Sequence, residues 1–206
     1  MLNAGLTGGI ASGKSTVSRL LEERGAHILD FDRLAHEAEE PGAPAWQGIV
    51  DHFGETVLTG GRIDRKKLGA IVFNNHAELL ALNSIVHPVV EAFWRARVDQ
   101  ITARDERAIV ISDVPLLFET GWDRKVNFVI LVYISPAEQV RRLMARNGLS
   151  REEAQLRLKS QIPIEEKVSR ADFVFNNEGP LEKAGQQFEK LWKRLLEEEQ
   201  LHYHTF

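Results

Sequence analysis

The sequence predicts an α/β fold: a parallel five-stranded sheet flanked by helices, broken by a mainly helical insertion and completed by a helical lid. Three observations predict it. Residues 2–7, 26–30, 108–114, 128–134 and 172–176 form apolar runs of strand length separated by stretches of helical periodicity, as in a parallel sheet with crossover helices. The first run enters Gly8-Gly9-Ile10-Ala11-Ser12-Gly13-Lys14-Ser15-Thr16, which fits the pattern G-x-x-x-x-G-K-[ST] without a mismatch. Residues 33–105 carry helical repeats and no clear strand, apart from a short turn around Val57-Leu58.

The loop requires these residue types. Gly8 and Gly13 lack a Cβ, so the backbone reaches positive φ and comes close to a polyphosphate, whose oxygens then meet successive N–H groups. The helix that begins near Lys14 aims its N-terminus at the same oxygens. Lys14 reaches the β- and γ-phosphates, and the Ser15 hydroxyl is placed to ligand Mg²⁺. An apolar strand precedes the loop, and Val17, Leu20 and Leu21 repeat at helical spacing until Gly25 stops the helix. This is the arrangement of a P-loop NTPase.

At 206 residues, with 43% hydrophobic and 27% charged content, the chain suits one globular domain with room for an inserted subdomain. The expected core is 1–32 and 106–206, with the insertion at about 33–105 and the lid at about 140–165. A net charge of -4 argues against a nucleic-acid partner. The absence of cysteine excludes disulfides and thiolate metal sites. No apolar run has the length of a membrane span and Met1 opens no leader, so a cytoplasmic monomer or small homo-oligomer is expected.

Taken in order, 26–30 reads as a short buried strand ending in Asp30-Phe31-Asp32. The carboxyl ends of parallel strands form the rim where ligands bind. On an extended segment the two carboxylates face the same way, one to orient Mg²⁺ or a hydroxyl and one to accept a proton. The other reading makes one of them the cap of a helix starting about Arg33. Within the insertion, Glu39-Glu40-Pro41-Gly42-Ala43-Pro44 and Thr59-Gly60-Gly61 are breaks. Leu68, Ile71 and Val72, then Leu79, Leu82 and Val86, then Val89, Val90, Phe93 and Trp94 mark helical faces. His52 and His87 either contact a substrate phosphate or base or lie partly buried at helix ends. Such insertions carry the second substrate.

Residues 108–114 form a central strand with Asp113 at its carboxyl end, the place of the carboxylate that holds the magnesium water shell. Leu116-Leu117-Phe118-Glu119 then supplies an apolar wall with one acidic handle. After strand 128–134, Ser135-Pro136-Ala137-Glu138 starts a helix with apolar Val140, Leu143 and Met144, while Arg142 and Arg146 face the other way. A second capping box at Ser150 makes the two helices a flap over the phosphates, its charges supplied by Arg142 and Arg146. Asn176 and Asn177 follow the last strand, either reaching an adenine edge or forming the loop. The final helix packs Leu181, Phe188, Leu191 and Leu195 on the sheet. Its charged end, Glu197-Glu198-Glu199-Gln200, leads into a frayed tail at 201–206.

Several of these segments together resemble the dephospho-coenzyme A kinases: the phosphate loop with Leu6-Thr7, Asp30-Phe31-Asp32, Glu40-Pro41-Gly42, His52-Phe53-Gly54, Val86-His87-Pro88, Val114-Pro115-Leu116-Leu117-Phe118-Glu119 and Ala171-Asp172-Phe173-Val174-Phe175-Asn176-Asn177. The resemblance implies transfer of the γ-phosphoryl of ATP to the ribose 3′-hydroxyl of dephospho-coenzyme A, with ATP and Mg²⁺ as cofactors. It implies that Asp32 is the catalytic carboxylate, that Thr7 sits in the active site and that Arg142 works from the lid. It also implies that Ala11, Ser12, Gly13, Lys14, Ser15 and Thr16 wrap the ATP phosphates and that the insertion binds the coenzyme. On this reading Gly8, Arg146 and Asn177 join the nucleotide site, His87, Leu116 and Leu117 the substrate site, and Ser15 and Asp113 the metal site. The alternative is another P-loop nucleoside or nucleotide kinase. A GTP-dependent switch lacks its Asn-Lys-x-Asp string here.

Overall fold

The computed structural model describes residues 1–73 and 75–203. Its chain divides into two compact units: Met1–Leu29 with the chain from Ile101 onward, and Asp30–Gln100. The first unit is built on β1 (Leu2–Gly8), β2 (His27–Asp30), β5 (Ile109–Asp113), β6 (Phe128–Tyr133) and β7 (Phe173–Asn176), in the spatial order β2-β5-β1-β6-β7. The pairs β1–β5, β1–β6 and β6–β7 are parallel, with Leu6 level with both Asp113 and Ile130. β1 and β5 are buried along their whole length, which is why they read as largely apolar runs.

Two helices of this unit cover the sheet through one apolar cluster. From α1 (Lys14–Glu23) come Val17 and Leu21, and from α9 (Leu181–Tyr203) come Phe188, Leu191 and Leu195. They pack on Leu2, Leu6, Ile111, Ile130, Val132 and Phe175. The Leu181 side chain lies outside the described residues. Burying each such side chain contributes about 1.5–3 kcal/mol before entropy is counted. Of the polar groups buried in this unit, two on neighbouring strands satisfy one another: Ser112 Oγ donates to Asn3 Oδ1 at 2.8 Å.

The sequence expectation needs correction at both ends of this unit. The strand at 26–30 is an edge strand whose only buried residue within His27–Asp30 is Leu29. The final helix runs to Tyr203, so Leu201 to Tyr203 are helical where fraying is expected, and 204–206 lie outside the described residues. Glu199, in the expected charged end, is buried and accepts from Arg107 Nε and Nη2 at 3.0 and 2.8 Å.

The second unit contains α2 (Phe31–Ala38), α3 (Pro44–Phe53), β3 (Leu58–Thr59), β4 (Arg62–Ile63), α4 (Arg65–Val72) and most of α5 (His76–Thr102). Thr59-Gly60-Gly61 is not only a break: Gly60 and Gly61, both at positive φ, turn an antiparallel hairpin that periodicity over two residues has no power to show. Trp46 Nε1 holds that turn by donating to Gly61 O at 3.1 Å. The separate helical faces between Leu79 and Trp94 merge into one 27-residue helix that passes through Pro88. His87 is therefore mid-helix and not at a helix end, while His52 occupies the last turn of α3. Among the described residues no helix is long and apolar enough to cross a membrane.

Candidate active site

The phosphate loop spans the turn between β1 and α1. Gly13 sits at φ +86° as the N-cap of α1, and Ala11 adopts φ +60°, a left-handed conformation uncommon outside glycine. Gly8 has no room for a side chain, since a Cβ there would lie 2.5 Å from Ser12 Oγ and 2.9 Å from Val132 O. Ser12 Oγ is itself buried and without a hydrogen-bond partner among the described residues. An orphaned buried hydroxyl in a loop of this shape fits a bound phosphate oxygen. Ser15 and Thr16 are exposed.

Lys14 Nζ pairs with Asp113, the last residue of β5. The parallel register explains the meeting: Asp113 lies level with Leu6, two residues before the loop begins at Gly8. Thr7 is fully buried and its hydroxyl donates to Pro115 O at 3.1 Å, tying the end of β1 to the segment after β5.

Asn177 and Arg142 close the loop from the far side. Asn177 Nδ2 donates to Ser12 O at 2.7 Å, and Arg142 Nη2 donates to Asn177 O at 3.0 Å. A methyl on Gly13 would lie 3.8 Å from Arg142 Nη1, so the guanidinium stands beside the loop. Asn177 thus spends its amide on the loop backbone. Asn176 accepts from Glu178 N–H at 2.9 Å, the loop-forming alternative for that residue.

Arg142 belongs to α6 (Pro136–Asn147), which Ser135 caps by accepting from Glu138 N–H. Glu138 does not reach back to complete a box. Its carboxylate instead takes Arg141 and then Arg142, and these bonds hold its pKa down to about 2. Arg146 lies in the last turn, exposed, with Nε donating to Asn147 Oδ1 at 2.9 Å. The apolar face of α6 is narrower than its sequence predicts. Leu143 is buried, but Val140 and Met144 line a groove of about 700 Å³ shared with α7 (Arg151–Lys159). The other buried residue is Gln139, which packs against Gly9 so closely that a side chain on that glycine would collide with its amide. A polar residue at a core position of the helical repeat is the signal that marks Gln139 as loop-contacting.

In the segment after β5, Leu116 is 40% exposed while Leu117 is completely buried. A Cβ on Gly5 would fall 2.5 Å from Leu117 Cδ1, so Leu117 fills the core and does not line a substrate wall.

The second unit holds Asp32 and His87. Asp30 is the N-cap of α2, accepting from Asp32 N–H and Arg33 N–H at 2.9 and 3.2 Å. The helix therefore begins at Phe31, and Asp32 lies in its first turn. The two carboxylates do not share a direction by strand alternation, because the second is already helical. Asp32 is exposed and lines a cleft of about 500 Å³ whose other walls include His36, Arg65, Leu68, Val72 and Leu82. Arg65 is held there by Glu39, through Nε and Nη2, and by His36. His87 is not among the residues lining that cleft, and partial burial lowers its pKa.

A family model described as dephospho-CoA kinase matches residues 2–183. A dephospho-CoA kinase of Syntrophus aciditrophicus is 53% identical over 202 residues, covering 98% of this chain and 86% of the relative. One of Carboxydothermus hydrogenoformans is 50% identical over 184 residues, 89% of each chain. Among solved structures, TT1252 from Thermus thermophilus superposes with a TM-score of 0.79 at 40% identity, covering 94% of this chain and 97% of the other. The dephospho-CoA kinase from Campylobacter jejuni does so with a TM-score of 0.71 at 33% identity, covering 95% and 97%. With a family model spanning most of its length and relatives at this identity, the chain belongs to the dephospho-CoA kinase family.

Proposed function

We propose that the chain transfers the γ-phosphoryl of ATP to the ribose 3′-hydroxyl of dephospho-coenzyme A, giving coenzyme A and ADP. The observation that carries this reading is the loop itself: a cradle of positive-φ backbone with an unpartnered Ser12 hydroxyl and a lysine at its lip. Lys14 exchanges its partner Asp113 for the β- and γ-phosphates when the nucleotide enters. The Ser15 hydroxyl and the Asp113 carboxylate are oxygen donors of the kind a hard cation takes, and they would hold Mg²⁺. That ion supplies charge compensation on the phosphates.

The acceptor belongs to the second unit. Its cleft joins an apolar side, with Leu68, Val72 and Leu82, to the polar group of Glu39, Arg65 and His36. That mixture suits the long amphipathic arm of dephospho-coenzyme A, and Asp32 at the cleft suits its ribose. Asp32 orients the 3′-hydroxyl and accepts its proton as the new O–P bond forms and the bond from the γ-phosphorus to the bridging oxygen of ADP breaks. Arg142, beside Gly13, offsets the charge spread over the moving group. The reading has no need of nucleic acid or membrane, and it suits a cytoplasmic monomer or small homo-oligomer.

Asp32→Asn tests the assignment. The amide keeps the helix turn but accepts no proton, so turnover falls by about 10²–10⁴ while ATP affinity, measured by calorimetry, stays within about threefold. Turnover equal to wild type removes Asp32 from the role of base.

A further inference from the structure

One buried charge in the first unit takes no part in the reaction described above. Lys167, in α8 (Ile164–Val168), is completely buried, with Nζ 2.6 Å from Glu119 Oε1 and outside hydrogen-bond geometry with any described residue. A buried ammonium is expensive to desolvate, and an apolar side chain of the same length would fill the space as well. The pair is better understood from what it holds.

Glu119 lies in the turns that follow β5. The same Oε1 accepts the Ile162 N–H at 3.1 Å, and Oε2 is buried with no partner among the described residues. Ile162 belongs to the short link between α7 and α8. Its neighbour Gln161 accepts, through Oε1, the Ile10 N–H of the phosphate loop at 3.2 Å. Ile164 then abuts Gly9, where a methyl would lie 3.2 Å from Ile164 Cδ1. The link is thus fixed on one side to the phosphate loop and on the other to the turns that begin at Pro115, which accepts the Thr7 hydroxyl. Arg170 reinforces the second attachment, lying 4.3 Å from the Phe118 ring centroid and donating to Asp123 Oδ2 at 2.8 Å.

The α6–α7 pair has a second attachment at its other end. Ser135 N–H donates to Glu178 Oε1 at 2.6 Å, just before α6 begins. Between these ends α6 rests on the loop itself, through Gln139 against Gly9 and the Arg142 bond to Asn177 O, so the two end attachments bracket those contacts. Loosening the α7 end releases that side of the flap from the loop beside which Arg142 stands.

We propose that Glu119, Lys167 and Gln161 form a latch that fixes the α7 end of the flap against the phosphate loop, and so act as positioning residues for phosphoryl transfer. The proposal rests on reading α6 and α7 as the flap over the nucleotide phosphates. A positioning role of this kind is felt in the transition state more than in ground-state binding, so it belongs to kcat.

The test compares two double variants of the full chain. Glu119→Leu with Lys167→Met removes both charges and the acceptor for Ile162. Glu119→Gln with Lys167→Met removes the charges and keeps that acceptor. Amide hydrogen exchange at Ile10 and Ile162 is read on the protein alone, so it separates failure of the latch from failure of the assigned activity. The first pair is expected to exchange faster at both amides and to lose about tenfold or more in kcat, with each KM moving less than about threefold. The second pair, which keeps the Ile162 acceptor but not the Lys167 ammonium, is expected to fall between the first pair and wild type in both readouts, and a second pair equal to wild type removes Lys167 from the latch. A folded first pair with wild-type kcat overturns the proposal, as does a kcat loss with Ile10 protection unchanged. Should the first pair fail to fold, Gln161→Ala carries the same expectation at Ile10 and in kcat, and wild-type kcat in that variant overturns it.

Discussion

Replacing Gly13 with alanine perturbs the phosphate loop twice over. The φ of +86° lies in the left-handed region, where an L side chain costs about 1–2 kcal/mol. The added Cβ would also fall on Asn177 Nδ2, far inside contact distance. That amide must leave, and its 2.7 Å bond to Ser12 O goes with it. A hydrogen bond of this type is worth about 1 kcal/mol net. Together the losses come to about 2–3 kcal/mol, which for a chain of this length lowers Tm by roughly 5–10 °C. Asn177→Ala alone loses only the hydrogen bond. In that background the collision is gone, and Gly13→Ala costs the backbone strain by itself. The two substitutions should therefore be sub-additive by about 1 kcal/mol in a double-mutant cycle followed by urea unfolding. A Gly13→Ala protein that melts with wild type, or two substitutions that simply add, would refute this account of why the loop needs glycine there.

Two further perturbations probe the supports of the site. Glu138 has a pKa depressed from an ordinary 4.5 to about 2, by Arg141 first and Arg142 second. A depressed carboxylate contributes stability above its unfolded value and loses it as pH falls through the folded one, so the window is pH 4.5 down to about 2. Across that window wild type should lose more Tm than Glu138→Gln does, and equal losses would show that the pair contributes nothing. Arg107→Ala removes two hydrogen bonds from the buried Glu199 carboxylate, made by a guanidinium that is itself half-exposed, for a cost of about 1–3 kcal/mol. Urea unfolding at neutral pH measures it, and a midpoint equal to wild type contradicts the assignment.

Much of the architecture is legible from local chemistry. A G-x-x-x-x-G-K-[ST] string needs a strand before it and a helix after it, and the apolar runs at 108–114 and 128–134 are long enough to be buried strands. Errors arise where one local rule overrides another. Asp30 and Asp32 obey strand alternation until Asp30 caps α2, after which the second carboxylate follows helical geometry. Pro88 suggests a boundary, yet α5 continues through it. Partnerships between distant residues leave no trace in the sequence. Glu119 reads as an acidic handle on an apolar wall and nothing local marks Lys167 as its partner, and only the packing of α8 brings them together. The amide of Asn177 looks free for a base until the loop backbone claims it.

The central claim is that this chain phosphorylates dephospho-coenzyme A. The most direct measurement incubates purified protein with ATP, Mg²⁺ and dephospho-coenzyme A, follows ADP release, and weighs the product by mass spectrometry. ADP formation is expected to depend on dephospho-coenzyme A, with a product heavier by one phosphoryl group. ADP release stimulated by nucleosides or nucleotides instead, with dephospho-coenzyme A unchanged in mass, would contradict it.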